Sequence, residues 1–410
     1  MTVTMKEIEA ARERLKSVIL PTPMIADGRL KREVGVDAHL KAESLQIGGS
    51  FKIRGAFNKI SQLSDDEKER GVIAASAGNH AQGVALAAKL TNIKATIVLP
   101  EFAPLTKINA TRGFGADVVL HGSTFDEAIA HSRELQQKHG YTYVHAFDDE
   151  RVIAGQGTIG VEIVESLPEV TTVVVPIGGG GLISGIATAV KDLKPNARVI
   201  GVQAENAAWA NPSIKAGRVV DAEMRPTIAD GIAVKHPSEL TLSIIREKVD
   251  EIVEVSEEEI ARAIFFCVQN NRLVVEGAGA AGLAALLAKK VTFKSDDVVC
   301  ALLCGGNIDA NLLARVLEQV LVRQGRYVMF RVLVLDRPGM LAGLLNRVAE
   351  SGANVIEVFH RRAMWLAPLG YVGIEMLLEV RDENHGRAVH KHLEAAGYNV
   401  AREGEADWEE

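Results

Sequence analysis

One lysine and three glycine-rich turns carry the reactive groups of this sequence. Lys52 sits in Ser50-Phe51-Lys52-Ile53-Arg54-Gly55-Ala56, behind Gly48-Gly49 and ahead of Ala56, Phe57, Ile60 and Leu63 at helical spacing. Most lysines are solvated surface groups. An amine at a loop-to-helix junction differs, because the positive helix end and partial burial lower its pKa and make it nucleophilic. Gly178-Gly179-Gly180-Gly181 follows an apolar run and precedes a helical one. Each glycine costs backbone entropy, and a tight turn needs only one or two. A row of bare N–H groups at a helix start instead cradles an anion. The spacing is neither Gly-x-x-x-x-Gly-Lys-Ser/Thr nor a Gly-x-Gly-x-x-Gly opening the chain, which argues against nucleotide binding. Ser76-Ala77-Gly78-Asn79-His80 offers a hydroxyl, N–H groups and a carboxamide, a set that suits a substrate carboxylate; Asn79 also reads as a helix N-cap. Cys304, before Gly305-Gly306-Asn307, is either an inert buried thiol or a neutral partner for a heterocyclic nitrogen. Together these groups suit a phosphorylated aldehyde held against Lys52.

The surrounding elements must bring the turns together. Residues 71–75, 95–99, 117–120, 172–177, 199–204, 251–255 and 298–303 read as buried strands, and a further short one falls near 38–43. Helical patterns separate them at 81–90, 104–112, 124–138, 182–193, 256–270 and 278–289. Strands alternating with helices predict an α/β fold with a mainly parallel sheet, whose ligands bind at the strands' carboxyl ends. All three glycine turns fall at such ends. After about residue 324 the pattern changes. Strands at 327–335, 355–359, 374–380 and from 399, with helices at 340–351 and 385–396, give a ferredoxin-like βαββαβ module. The reading is therefore a domain over 1–322, a linker at 323–326, and a second domain over 326–410.

Composition narrows the function classes. A chain of 410 residues is too long for one ordinary core. A net charge of -7 with scattered Lys and Arg gives no nucleic-acid footprint. The amphipathic start (Ile8, Ala11, Leu15, Ile19) is not a secretory segment, and no apolar run has membrane-spanning length. Cys267, Cys300 and Cys304 are an odd set without metal-ligand spacing, which suggests reduced thiols in a cytoplasm.

Ser-Phe-Lys-x-Arg-Gly-Ala, Ser-Ala-Gly-Asn-His, the tetraglycine loop and a late Gly-Gly-Asn, in this order, resemble the pyridoxal-phosphate threonine dehydratases of the tryptophan-synthase-β-like fold group. The resemblance spans about residues 5–322 and implies two subdomains there, a small one at roughly 42–150 inserted in a larger one. It implies pyridoxal 5'-phosphate as cofactor, with Lys52 bonded to its aldehyde and Phe51 beside it. Gly178, Gly179, Gly180, Gly181 and Leu182 would hold its phosphate, Asn79 its ring 3-oxygen, and Cys304 would face the ring nitrogen. Ser76, Ala77, Gly78, Asn79 and His80 would hold the substrate carboxylate. The implied reaction is elimination of L-threonine to 2-oxobutanoate and ammonia, with L-serine a further substrate. Related serine racemases carry a second serine where this chain has Ala77, and acidic metal ligands where it has Gln203 and Trp209. Racemase activity and a metal site are thus not expected. Gly48 departs from a common Thr, with little chemical consequence.

The tail, with Asp336-Arg337-Pro338-Gly339 and Gly352-Ala353-Asn354-Val355, resembles an ACT domain, a small-molecule-sensing module. It implies a homo-oligomer, a dimer or tetramer, with a branched-chain amino acid such as isoleucine or valine as effector. The alternatives are a dehydratase preferring serine or 3-hydroxyaspartate, a β-replacement enzyme using the same cofactor, and a cofactor-free amino-acid sensor.

Overall fold

The computed structural model describes residues 3–361 and 367–402. The expected end of the last domain at residue 410 lies outside the described residues. The chain divides into two compact units, Met1–Asp309 and Ala310–Glu410. The division falls before residue 322 because the helix Ala310–Arg323 packs on the strand Tyr327–Leu335.

In the first unit a six-stranded sheet runs Met24–Ala26, Asp37–Lys41, Val298–Leu302, Thr172–Pro176, Arg198–Ala204, Glu251–Val255. All its pairings are parallel except that of the first two strands. Thr172–Pro176 is buried along its whole length, as a strand covered on both faces must be. A second, all-parallel sheet runs Asp117–Leu120, Ala95–Leu99, Val72–Ala75, Thr142–Tyr143. This small lobe has its own apolar core, including Ile60, Val72, Val84 and Ile97. The turns after Val72–Ala75, Thr172–Pro176 and Val298–Leu302 carry the three glycine motifs.

The helix Glu150–Ser166 was not expected from the sequence. It holds Gly155, Gly157 and Gly160, and mid-helix glycine normally weakens a helix. Here each removes a side chain at a crossing. A Cβ at Gly155 would meet Gly55 Cα at 2.7 Å, and one at Gly157 would meet the Gly185 carbonyl at 2.9 Å. The glycines let this helix lie against Lys52–Ile60 on one side and Gly181–Leu193 on the other, and so set where both begin. The short strands Met24–Ala26 and Thr142–Tyr143 and the helices Gly28–Val34, Ala210–Ala216 and Glu239–Lys248 were likewise unanticipated. The helix expected to reach residue 270 ends at Phe266 and continues as a π turn, Cys267–Asn271, into Arg272 at φ 58°.

The second unit is an antiparallel sheet ordered Asn354–Arg361, Tyr371–Glu379, Tyr327–Leu335, Asn399–Arg402. With the helices Met340–Glu350 and Glu383–Ala395 it has the ferredoxin-like order. Tyr327–Leu335 alternates half-buried and buried positions, as a sheet with one packed face requires. No helix among the described residues is long and apolar enough to cross a membrane.

Candidate active site

Lys52 is the first residue of its helix, and Phe51 stands at the N-cap position. The preceding loop is stitched to the Cys304 turn: Phe51 N donates to the Cys304 carbonyl at 3.2 Å, and Gly306 N to the Gly49 carbonyl at 2.9 Å. A Cβ at Gly83 would lie 3.0 Å from Lys52, so that glycine lets the helix Asn79–Leu90 press against the lysine. Lys52 Nζ lies 3.3 Å from the Ala146 carbonyl and 5.1 Å from the Phe51 ring centre. Burial lowers its pKa to about 8, against the opposing pull of Cys304 and Glu276. Near neutrality a useful share of the amine is therefore unprotonated.

Cys304 is buried, its Sγ 3.5 Å from the Ala278 carbonyl that accepts from it. Burial pushes the thiol well above its usual range, so it is a neutral group. The tetraglycine loop lies under Phe147. A Cβ at Gly179 would overlap that ring, one at Gly181 would come 2.9 Å from Phe147 Cα, and Gly180 has φ +89°. Trp209 Nε1 donates to the Gly178 carbonyl at 2.7 Å and holds the loop from behind. The helix Gly181–Leu193 starts on Gly180 with no side chain capping it, which leaves its first N–H groups for an anion. Leu182 and Phe51 belong to the apolar core beneath.

In the Ser76 loop, Gly78 and not Asn79 is the N-cap, and Asn79 is the first helical residue. Its carboxamide is thereby free to face the site. Asn79 Nδ2 donates to Glu276 Oε1 at 2.5 Å, and Asn307 Nδ2 donates to Asn79 Oδ1 at 2.8 Å. Gly78 N donates to Ser76 Oγ at 3.2 Å. His80 is buried, and its Nε2 donates to the Val144 carbonyl at 2.8 Å. Burial, then the nearby Lys52, lower its pKa to about 3, so the ring is neutral.

Glu276 was missed by sequence reasoning. It is 6% exposed, and burial, then Asp230, raise its pKa to about 7. The one signal was an acid directly before the run Gly277-Ala278-Gly279-Ala280. Phe147 and Ala146 gave none, because they sit in an irregular stretch before an unrecognised helix. Gln203 and Trp209 also have clear work: Gln203 Oε1 accepts from Trp209 N at 3.1 Å and Ala210 N at 2.8 Å. This caps the helix Ala210–Ala216.

Residues 15–305 match the family model described as "Pyridoxal-phosphate dependent enzyme". The chain belongs to that family. It is 50% identical over 398 residues to an L-threonine ammonia-lyase of Thermotoga maritima, covering 97% of this chain and 99% of the relative. It is 45% identical over 393 residues to a protein of the same name from Geobacter sulfurreducens, covering 96% and 98%. Among solved structures, the processed form of threonine deaminase isoform 2 from Solanum lycopersicum superposes with TM-score 0.73 at 39% identity, covering 78% of this chain and 91% of that one. Maize serine racemase superposes with TM-score 0.74 at 33% identity, covering 79% and 99%. The fold of this pyridoxal-phosphate enzyme is that of the tryptophan-synthase-β-like group. Its residues fit the cofactor: an amine held near neutral, a side-chain-free loop at an uncapped helix start, and a neutral thiol in the same site.

Proposed function

We propose that this enzyme is a threonine ammonia-lyase, converting L-threonine to 2-oxobutanoate and ammonia, with L-serine a further substrate. The observation that carries the reading is a lysine whose pKa burial lowers to about 8 beside neutral Cys304 and His80, in a chain half identical to an L-threonine ammonia-lyase along nearly its whole length. When bound, pyridoxal phosphate supplies an aldehyde for amines and a ring that draws electrons from the substrate's α-carbon. Lys52 would hold that aldehyde between turnovers, and with substrate bound its Nζ would take the α-proton. Gly178, Gly179, Gly180, Gly181 and Leu182 would offer their main-chain N–H groups to the phosphate, and Asn79 would hold the ring through its carboxamide. Ser76, Ala77, Gly78, Asn79 and His80 receive the carboxylate, His80 through its main chain, since its ring is bonded to Val144. Neutral Cys304 would give the ring no carboxylate partner, and so would favour prompt loss of the β-hydroxyl over side reactions. The α-proton and β-hydroxyl would leave together as water, and hydrolysis of the released enamine by another water would give the ketoacid and ammonia.

Ala77 has no proton to give, so the opposite face lacks a second acid or base and racemisation is slow. The second unit is an ACT-like module that senses a branched-chain amino acid and pairs in a homo-oligomer. The test is ketoacid release from L-threonine with no second substrate. Turnover only when a sulfide or indole nucleophile is added would overturn elimination in favour of β-replacement. L-to-D interconversion of serine as fast as pyruvate release would overturn the reading of Ala77. For the module, identical rate-versus-threonine curves with isoleucine or valine, in the full chain and one ended after residue 309, would leave it an assembly unit.

A further inference from the structure

Glu276 occupies the N-cap position of the helix Gly277–Leu287, yet its side chain does not cap that helix. It turns away and accepts from Asn79 Nδ2 at 2.5 Å. A buried carboxyl that forgoes the nearest main-chain donors carries a cost unless its orientation serves something else. The bonds around it read in one direction. Asn307 Nδ2 donates to the Gly48 carbonyl at 2.9 Å, and a main-chain carbonyl can only accept. The nitrogen end of Asn307 is thereby assigned, and the Asn79 atom facing it at 2.8 Å must be the oxygen. Asn79 then presents its nitrogen to Glu276, whose carboxylate oxygens accept. The chain Gly48, Asn307, Asn79, Glu276 fixes one of two orientations that a carboxamide could otherwise take. Gly305 is glycine for the same reason: a Cβ there would overlap Glu276 Oε1 and come 3.0 Å from Asn79 Nδ2.

We propose that Glu276, acting with Asn307, is a positioning residue that locks the Asn79 carboxamide with its nitrogen toward the cofactor site. One N–H of Asn79 is spent on Glu276, and the second remains as a donor to the cofactor's ring oxygen. In the flipped orientation an oxygen would face that oxygen, and the contact would repel. This rests on the cofactor reading above. The charged groups around Glu276 are Asp230 from the turn Asp230–Ile232, Lys107 from the helix Leu105–Gly113, and Lys52. A carboxyl accepts in either protonation state, so the lock holds on both sides of neutrality.

The test is equilibrium binding of pyridoxal phosphate to the full chain after removal of cofactor, read by absorbance. Parent, Glu276→Ala, Asn79→Ala, the double variant and Glu276→Gln are compared. Each alanine variant is expected to bind about tenfold more weakly, the effect of losing one hydrogen bond in a buried set. Because both act through one carboxamide, the double variant should bind no more weakly than the weaker single. Glu276→Gln, which keeps an acceptor oxygen, should recover most of the loss. If Glu276→Ala does not fold, Asn307→Asp replaces it, since aspartate removes the donor to Asn79 Oδ1 and leaves Glu276 in place. Binding by Glu276→Ala equal to the parent, or losses that multiply in the double variant, would overturn the assignment. A parent chain that binds no pyridoxal phosphate would instead overturn the cofactor reading, and this assignment with it.

Discussion

Lys52 and Arg54 are two residues apart on one helix, the first half-buried and the second fully buried, and treated in opposite ways. Arg54 is fully buried and matched by acids. Its Nε and Nη2 donate to Glu43 at 2.9 and 2.8 Å, and its Nη1 to Glu162 at 2.6 Å. Lys41 Nζ closes the set on Glu162 at 2.7 Å. Two cations face two carboxylates. Burial works against the charge of Arg54, but Glu43 and Glu162 hold it firmly protonated, while Arg54 and Lys41 outweigh burial to keep Glu162 below the usual carboxylate range. Around Lys52 the balance reverses. Lysine and His80 are pushed down, Glu276 and Cys304 up, each chiefly by burial. One cluster keeps its charges by pairing them and fixes the helix. The other holds His80 and Cys304 neutral and brings Lys52 and Glu276 close to neutrality, which leaves an amine able to take and return a proton near neutral pH.

Lys52→Ala is the sharpest break in that contrast. It is expected to cut threonine turnover by at least about 10³-fold, because cofactor attachment and proton removal fail together, with the thermal midpoint retained. Survival of a tenth of parental turnover would remove Lys52 from its role. Arg54→Met should do the reverse, lowering stability by about 3–5 kcal/mol, because it strands buried Glu43. Urea denaturation measures this, and adding Glu43→Leu, which leaves Lys41 and Glu162 balanced, should recover part of the loss. An Arg54→Met protein as stable as the parent would mean that the paired cluster is dispensable.

The groups around Lys52 also predict a sign for pH. His80 stays unprotonated in the fold to about pH 3 but takes a proton near 6.5 when unfolded. Between those values the unfolded chain binds more protons, so stability falls as pH falls, by up to about 1.4 kcal/mol per unit. Glu276 acts oppositely: its folded pKa is raised from 4.5 to about 7, so its contribution to stability falls as pH rises through that window. His80→Gln keeps a donor for the Val144 carbonyl, and comparing its unfolding free energies with the parent's from pH 6.5 to 4 isolates the histidine. Parallel curves would show that His80 is not held neutral.

The smallest expected effects are at Cys304. Serine keeps a neutral partner and should hold turnover within about threefold of the parent. Aspartate would hold the ring nitrogen protonated and should slow elimination about tenfold or more. Equal rates for parent and Cys304→Asp would mean that this position does not tune the ring.

Much of this contrast was legible in the sequence. Strands 95–99, 117–120, 251–255 and 327–335 fell where expected, because short apolar or alternating runs between turn residues leave few other options. Lys52 and the glycine loops were visible because their cost in entropy or desolvation has no cheap structural excuse. The pairing of Arg54 was hidden, since its partners lie 11 and 108 residues away. So was the helix Glu150–Ser166, whose glycines argue against a helix locally and for one only where three helices cross. Glu276 escaped for a related reason: an acid before a helix looks like a cap, and only the fold shows that it turns away.

The most direct test of the central claim is to reduce the cofactor-loaded enzyme with borohydride and map the added mass by peptide mass spectrometry. One modified residue is expected, Lys52, with loss of threonine turnover in step with its modification. Mass on another lysine, or full turnover with Lys52 modified, would contradict it.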